Sequence, residues 1–215
     1  MTAQRSPRPR PGSQIAGRAR ALVVPIKAFA DAKGRLAERF APQERQALAV
    51  AMADRVLAAA GSLEVFVVAD DPEVVRWATA GGARVVDPGE PGLSRAVSVG
   101  VAAARRAGHD RVVVSHGDLP LADDLDRIDR HADVVLVTDR HGDGTNVVAL
   151  RTDVGFRFAY GAGSRHRHVA EAHRLDQSVR VVTRSGLCWD VDVPDDIAGP
   201  VADLLARTID EAAHG

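Results

Sequence analysis

RVVVSHGDLPL, residues Arg111–Leu121, is the stretch that decides how this chain is read. Val112–Val114 is an unbroken β-branched run of strand length. Such runs belong to strands buried on both faces, as in a parallel sheet with helices above and below it. Gly117 and Pro120 end the run. In open α/β sheets ligands lie in the crevice beyond the carboxyl ends of the strands, which puts Asp118 where such a fold does its chemistry. A second acidic strand end, Asp190-Val191-Asp192-Val193-Pro194, lies far along the chain. The expectation is that these two ends meet over a divalent metal ion.

Toward the N-terminus, Ala21–Ile26 (ALVVPI) is a strand whose pairing stops near Pro25. Lys27–Leu36 (KAFADAKGRL) is a polar loop. Pro42 opens a helix in which Leu48, Met52, Val56 and Leu57 recur at helical spacing up to Gly61. Leu63–Ala69 is a second strand, and Asp70-Asp71-Pro72 caps a helix through Ala80. Ala83–Val86 is a third strand. Leu93–Ala107 is a helix with Ala96, Val97, Gly100, Val101 and Ala104 on one face. Beyond the quoted stretch, Asp123–Arg130 reads as a short helix, and Asp133–Thr138 and Asn146–Leu150 read as strands. Arg165–Leu175 is a helix capped by Ser164, Val179–Thr183 and Leu187–Val191 are short strands, and a last helix runs from Pro194 to about Arg207. Strands alternating with helices define an α/β fold with a mostly parallel sheet covered on both faces. Residues 21–215 form one domain.

Composition narrows the function. The 215 residues are 46% hydrophobic and 27% charged with a formal net charge of −1, which disfavours a general nucleic-acid or membrane-surface binder. Cys188 is the only cysteine, so no intrachain disulfide forms, in keeping with a reducing cytoplasm. No apolar run reaches the roughly 18 residues of a membrane span. Residues 1–20 carry Arg5, Arg8, Arg10, Arg18 and Arg20 and no acid, and read as a disordered basic tail.

Three groups of residues carry the candidate chemistry. Lys27, Lys33 and Arg35 follow the first strand, where α/β folds commonly hold phosphates. On spacing alone this is equally a solvated charged loop, since neither a Walker A nor a G-x-G-x-x-G fingerprint is present. Asp118, Asp190 and Asp192 suit Mg²⁺, which takes hard oxygen ligands and usually only one or two carboxylates beside water and phosphate. Asp190 and Asp192 share one face of an extended segment; alternatively Asp192 caps the helix at Pro194. Gly161-Ala162-Gly163-Ser164 enters a helix, and its backbone N–H groups and dipole favour an anion. The preceding Gly142-Asp143-Gly144-Thr145 loop adds a hydroxyl. Arg165, His166, Arg167 and His168 read as solvated or phosphate-facing cations rather than zinc ligands. His116 receives no role.

Val24-Pro25-Ile26-Lys27, Ala32-Lys33-Gly34-Arg35-Leu36-Ala37, Gly117-Asp118-Leu119-Pro120, Gly144-Thr145-Asn146, Tyr160-Gly161-Ala162-Gly163-Ser164 with Arg167-His168, and Asp190-Val191-Asp192-Val193-Pro194 occur in that order. Together, over about residues 21 to 200, they resemble the guanylyltransferases of coenzyme F420 biosynthesis, the CofC or FbiD family. The resemblance implies a Rossmann-like nucleotide-diphospho-sugar transferase fold of the glycosyltransferase-A kind. It implies transfer of GMP from GTP to a three-carbon phospho-acid with release of pyrophosphate. The acid is phosphoenolpyruvate, 2-phospho-L-lactate or 3-phosphoglycerate, and an Ala/Arg-rich composition favours phosphoenolpyruvate. Carried over by motif, Asp118, Asp190 and Asp192 are the Mg²⁺ side, and Thr145, Gly161 and Ser164 hold the phospho-acid. Lys27, Lys33 and Arg35 face the triphosphate. The labile product implies a hand-off to the next transferase of the pathway, from a monomer or homodimer.

The chain departs from the family pattern twice. Ser94 stands where an asparagine is common, at a position expected to seat the nucleotide, and Gly34 replaces a serine or threonine. The competing readings are a sugar-phosphate or molybdenum-cofactor nucleotidyltransferase of the same fold and a non-catalytic nucleotide-binding module. The former commonly open with a Gly-Gly-rich loop, and Lys27–Ala32 has no glycine.

Overall fold

The computed structural model describes residues 20–128, 131–184, 186–199, 201–203 and 206. The expected basic tail therefore lies outside the described residues, except Arg20, which is the first residue of strand β1 (Arg20–Pro25). The chain continues through α1 (Pro42–Ala58), β2 (Glu64–Val68), α2 (Pro72–Ala80), β3 (Arg84–Val86), α3 (Leu93–Arg106) and β4 (Arg111–Ser115). It then forms β5 (Val134–Thr138), β6 (Thr145–Arg151), α4 (Ser164–Arg174) and β7 (Val179–Val182).

These strands make one seven-stranded sheet in the order β3-β2-β1-β4-β6-β5-β7. All adjacent pairs are parallel except the two made by β6, which runs against β4 and β5. The expected mostly parallel α/β sheet is thus present, with one reversed strand. The unbroken apolar runs follow from burial on both sides. Alternate residues of β1 point to opposite faces: Ala21 and Val23 pack with Phe66, Val97, Val101 and Ala172. Leu22 and Val24 pack with Val56, Val113, Val135 and Val147. Helices α3 and α4 cover the first face. Helix α1 covers the second, together with α2, whose Val74 and Ala78 meet Val67 and Ala69.

Local chemistry sets the helix ends. Asp71 accepts hydrogen bonds from the Glu73 and Val74 amides at 3.0 Å, capping α2 ahead of Pro72 as expected. Gly100 lets α3 lie directly on the sheet: a Cβ there would stand 2.5 Å from Val23 Cγ1 and 2.6 Å from Val68 Cγ2.

Four expectations are corrected. Ser164 does not cap α4; Gly163, in the left-handed region at φ 70°, is the N-cap, and Ser164 is the first helical residue. Over the described residues 123–128 the expected Asp123–Arg130 helix is a single 3₁₀ turn, Leu125–Arg127, where the Leu125 amide donates to the Ala59 carbonyl (2.9 Å) at the end of α1; residues 129 and 130 lie outside the described residues. Leu187–Val191 is not a strand. Side chains rather than a ladder tie this segment: Asn146 Nδ2 donates to the Leu187 carbonyl (3.1 Å), and Asp196 Oδ2 accepts from the Asp192 and Val193 amides. The expected helix from Pro194 begins as a 3₁₀ turn, Pro194–Asp196, and resumes over 201–203. Its remainder falls partly outside the described residues.

Candidate active site

The order of strands reverses beside β1. The chain steps outward from β1 to β2 and β3, then returns through α3 to β4 on the other side of β1. That switch point opens a crevice at the carboxyl ends of β1 and β4. A cavity of about 470 Å³ lies there, lined by Pro25, Ile26, Lys27, Lys33, His116, Gly117, Asp118, Asp190 and Asp192 among others. Five of the expected site residues, Lys27, Lys33, Asp118, Asp190 and Asp192, therefore share one cavity. Arg35 does not line it; it is exposed on a 3₁₀ turn, Gly34–Leu36.

Lys33 is the centre of this cluster. Its Nζ lies 2.5 Å from Asp118 Oδ2 and 3.3 Å from Asp192 Oδ1, and its side chain is only 9% exposed. Burial opposes the charged amine, but the two carboxylates outweigh it and hold the Lys33 pKa above its ordinary value. Burial likewise opposes the Asp118 carboxylate, and Lys33 and His116 together hold its pKa below the usual range. Asp190 moves the other way. Burial, then the Asp118 charge, raise its pKa, against a hydrogen bond from Asn146 at 3.3 Å. Lys33 sits in the left-handed region at φ 57° and ψ 38°, a backbone conformation costing about 1–2 kcal/mol for a residue with a Cβ. In that conformation the amine meets the acids and is largely shielded from solvent.

Among the described residues no three His, Cys, Asp or Glu side chains already stand as a ready metal cage. The donor set still suits a hard divalent cation. Among the described residues Asp118 Oδ1 is shielded from solvent and accepts no hydrogen bond, the Asp190 carboxylate is pushed up by burial and by the Asp118 charge, and Mg²⁺ needs only one or two carboxylates when phosphates complete its shell.

Thr145, Gly161 and Ser164 belong to a second cluster beside the first. Thr145 opens β6, and because β6 is antiparallel to β4 its beginning lies against the end of β4, where the His116 amide donates to the Asn146 carbonyl at 3.0 Å. The Thr145 and Ser164 hydroxyls are buried and 3.5 Å apart. The N-terminus of α4 is not an open anion cradle throughout: the Gly163 amide donates to Asp143 Oδ2 at 2.7 Å. Ser94 Oγ accepts from the Tyr160 amide at 3.0 Å, so it ties α3 to the loop ahead of Gly161.

The expected row of solvated or phosphate-facing cations on α4 holds for the exposed His166 and Arg167 and is corrected at His168. Arg167 donates to the carbonyls of Ala159 (3.0 Å), Ala162 (2.5 Å) and Tyr160 (3.2 Å), clamping the loop. His168 has no exposed surface and packs against the rings of Phe156, Phe158 and Tyr160. Helical periodicity was the available signal: His168 and Ala172 are four residues apart and both buried. Asn146 and Asp143 lie in the Gly142–Asn146 stretch, whose sequence does not show that they tether the site loops, and Asp196 carries no motif at all. Arg140 pairs with Asp196 and lies 4.9 Å above the Trp189 ring, fixing the segment that bears Asp190 and Asp192.

Residues 20–201 match the family model described as "Guanylyl transferase CofC like". The chain is 41% identical over 204 residues to a phosphoenolpyruvate guanylyltransferase of Conexibacter woesei, covering 89% of this chain and 91% of that protein. It is 37% identical to a phosphoenolpyruvate guanylyltransferase of Sphaerobacter thermophilus, covering 81% and 89%. It is 35% identical to a 3-phospho-D-glycerate guanylyltransferase of Phenylobacterium zucineum, covering 81% and 86%. Among solved structures, a nucleotidyl transferase from Methanothermobacter aligns with a TM-score of 0.63 at 20% identity, over 92% of this chain and 99% of that one. A nucleotide-diphospho-sugar transferase fold from Desulfovibrio desulfuricans aligns with a TM-score of 0.64 at 16% identity, over 90% and 97%.

Proposed function

This chain belongs to the CofC-like guanylyl transferase family and is a nucleotidyltransferase, and we propose that it joins GMP from GTP to phosphoenolpyruvate in coenzyme F420 biosynthesis. The observation that carries this reading is the cavity at the β1/β4 switch point, where Lys27 and Lys33 meet Asp118, Asp190 and Asp192. Cations and acids in one crevice suit a reaction between two phosphate-bearing anions. An oxygen of the acceptor phosphate attacks the α-phosphorus of GTP; the new P–O bond forms as the α–β bridging bond breaks and pyrophosphate leaves. The nucleophile is already an anion, so the protein needs no general base, and its work is positioning and charge neutralisation. Lys27 and Lys33 offset the charge of the triphosphate and of departing pyrophosphate. Thr145, Gly161 and Ser164 hold the acceptor. Asp118, Asp190 and Asp192 would hold Mg²⁺, which when bound neutralises phosphate oxygens.

Relatives named for phosphoenolpyruvate at 41% identity and for 3-phospho-D-glycerate at 35% keep two acceptors in view. Purified chain is supplied with GTP, Mg²⁺ and each of phosphoenolpyruvate, 2-phospho-L-lactate and 3-phosphoglycerate, and pyrophosphate is measured. The expected outcome is release with phosphoenolpyruvate and GTP together and with neither alone. Asp118→Asn is expected to lower turnover at least ~10²–10³-fold, the scale of losing one charge-stabilising group in a closed site, without loss of the folded state. Near-normal release from that variant would sink the assignment, and GTP binding without release with any acid would favour the binding-module reading.

A further inference from the structure

His168 is buried, lies outside the cavity of the acids, and makes two hydrogen bonds with fixed directions. The Ala159 backbone amide stands 3.0 Å from its Nε2. An amide N–H can only donate, so Nε2 is the accepting, unprotonated nitrogen. The ring proton is then on Nδ1, which faces Thr145 Oγ1 at 3.1 Å. Thr145 Oγ1 therefore receives a hydrogen bond from His168 and cannot return its own proton there. That proton must point elsewhere, and the nearby Ser164 Oγ, at 3.5 Å, is at the limit of a hydrogen bond.

We infer that His168 is a positioning residue that fixes the Thr145 hydroxyl as a hydrogen-bond donor toward an oxygen of the phospho-acid acceptor. The inference rests on the reading of Thr145 as an acceptor contact. A threonine hydroxyl left to itself can donate or accept, and it can turn a lone pair rather than its proton toward an anion. The relay from Ala159 through His168 removes that freedom before the acceptor arrives, which is how a fixed polar environment strengthens binding of a charged ligand.

The surroundings keep the ring neutral. Burial, then the positive Arg167 on the same helix and His116 at the end of β4, push its pKa down to about 4, against the opposing charge of Glu171 one turn along α4. Tyr160, packed edge-on at 4.9 Å, stays protonated because burial raises its pKa. A doubly protonated ring would also set an Nε2–H against the Ala159 N–H.

Two substitutions separate the two hydrogen bonds. His168→Gln places an amide oxygen near Nε2, keeping the acceptor for Ala159 and losing the donor to Thr145. His168→Asn places an amide nitrogen near Nδ1, with the reverse effect. With GTP and phosphoenolpyruvate as substrates, H168Q is expected to raise the KM for phosphoenolpyruvate about tenfold, the scale of one hydrogen bond to a charged group, with the KM for GTP unmoved. H168N is expected to restore most of that affinity. Thr145→Val should raise the same KM, and adding H168Q to it should raise it no further. If T145V raises the KM and H168Q does not, or if the two effects add, the inference fails alone. If T145V itself leaves the KM unmoved, the reading of Thr145 fails and takes the inference with it. A measurement on the unmutated full chain decides the matter should H168Q not fold: ¹⁵N chemical shifts should report a neutral, Nδ1-protonated His168 from pH 7 to pH 5. An Nε2-protonated or charged ring in that range overturns the inference.

Discussion

At the scale of single residues, the site is held by side chains that do no chemistry themselves. Asn146 is 1% exposed, and its Nδ2 reaches both the Leu187 carbonyl and Asp190 Oδ1. It joins the start of β6 to the irregular segment carrying two of the three acids. Asn146→Ala should leave the Leu187 carbonyl without its donor and free Asp190 to turn away. The expected destabilisation is about 1–3 kcal/mol, the range for a lost buried hydrogen bond, with a fall in pyrophosphate release beyond what the stability loss explains. Urea melts beside turnover at a temperature where both proteins are folded test this; unchanged turnover in a destabilised protein would reduce Asn146 to a structural tether. Lys33 was read from the sequence as a triphosphate contact. Its bonds to Asp118 and Asp192 give it a further part, that of balancing the acids, and the left-handed backbone that turns it inward has no sequence mark.

At the scale of elements, helix α3 and strand β6 set the geometry. Gly100 is the point of closest approach of α3 to β1 and β2, and a Cβ there meets Val23 and Val68 at distances no real contact shows. Gly100→Val should force α3 outward and destabilise the protein by roughly 1–3 kcal/mol or more, as overpacking of a dense core does. Because the start of α3 holds Tyr160 through Ser94, the variant should also weaken acceptor binding. A melting temperature equal to that of the parent would show that the helix accommodates the bulk. The periodicity of α3 made its buried face legible: Val97, Gly100, Val101 and Ala104 are all buried. Element type was readable wherever the pattern was long. It failed at Leu187–Val191, where an apolar run of strand length is fixed by side-chain tethers in place of a partner strand.

At the scale of the whole molecule, stability should depend on pH through groups on the buried face of α4. His168 has a folded pKa of about 4 against an ordinary 6.5. The folded state then binds the proton less readily than the unfolded state. Its contribution is complete above pH 6.5 and is lost as pH falls toward 4, roughly 2–3 kcal/mol over that interval. Glu171 is held down to about 2 by Arg174 and the Arg157 amide, so its contribution is present above its ordinary 4.5 and is lost at still lower pH. Urea unfolding from pH 7 to pH 4 should show the first loss, and H168Q should flatten it. A level profile for the parent protein would contradict a neutral buried ring. The sequence by itself determined the α/β class, the acid beyond β4, the second acidic segment at Asp190–Asp192, the basic loop after β1 and the family, because these rest on local periodicity and on motifs of adjacent residues. Only the tertiary structure decided that Lys33 lies between Asp118 and Asp192, that Arg35 stands apart, that β6 runs backwards to set Thr145 beside the end of β4, and that His168 is buried between the Ala159 amide and the Thr145 hydroxyl. Strand direction, and the contacts that direction creates between residues distant in the chain, are fixed by packing across the sheet, and no local pattern of residues encodes them.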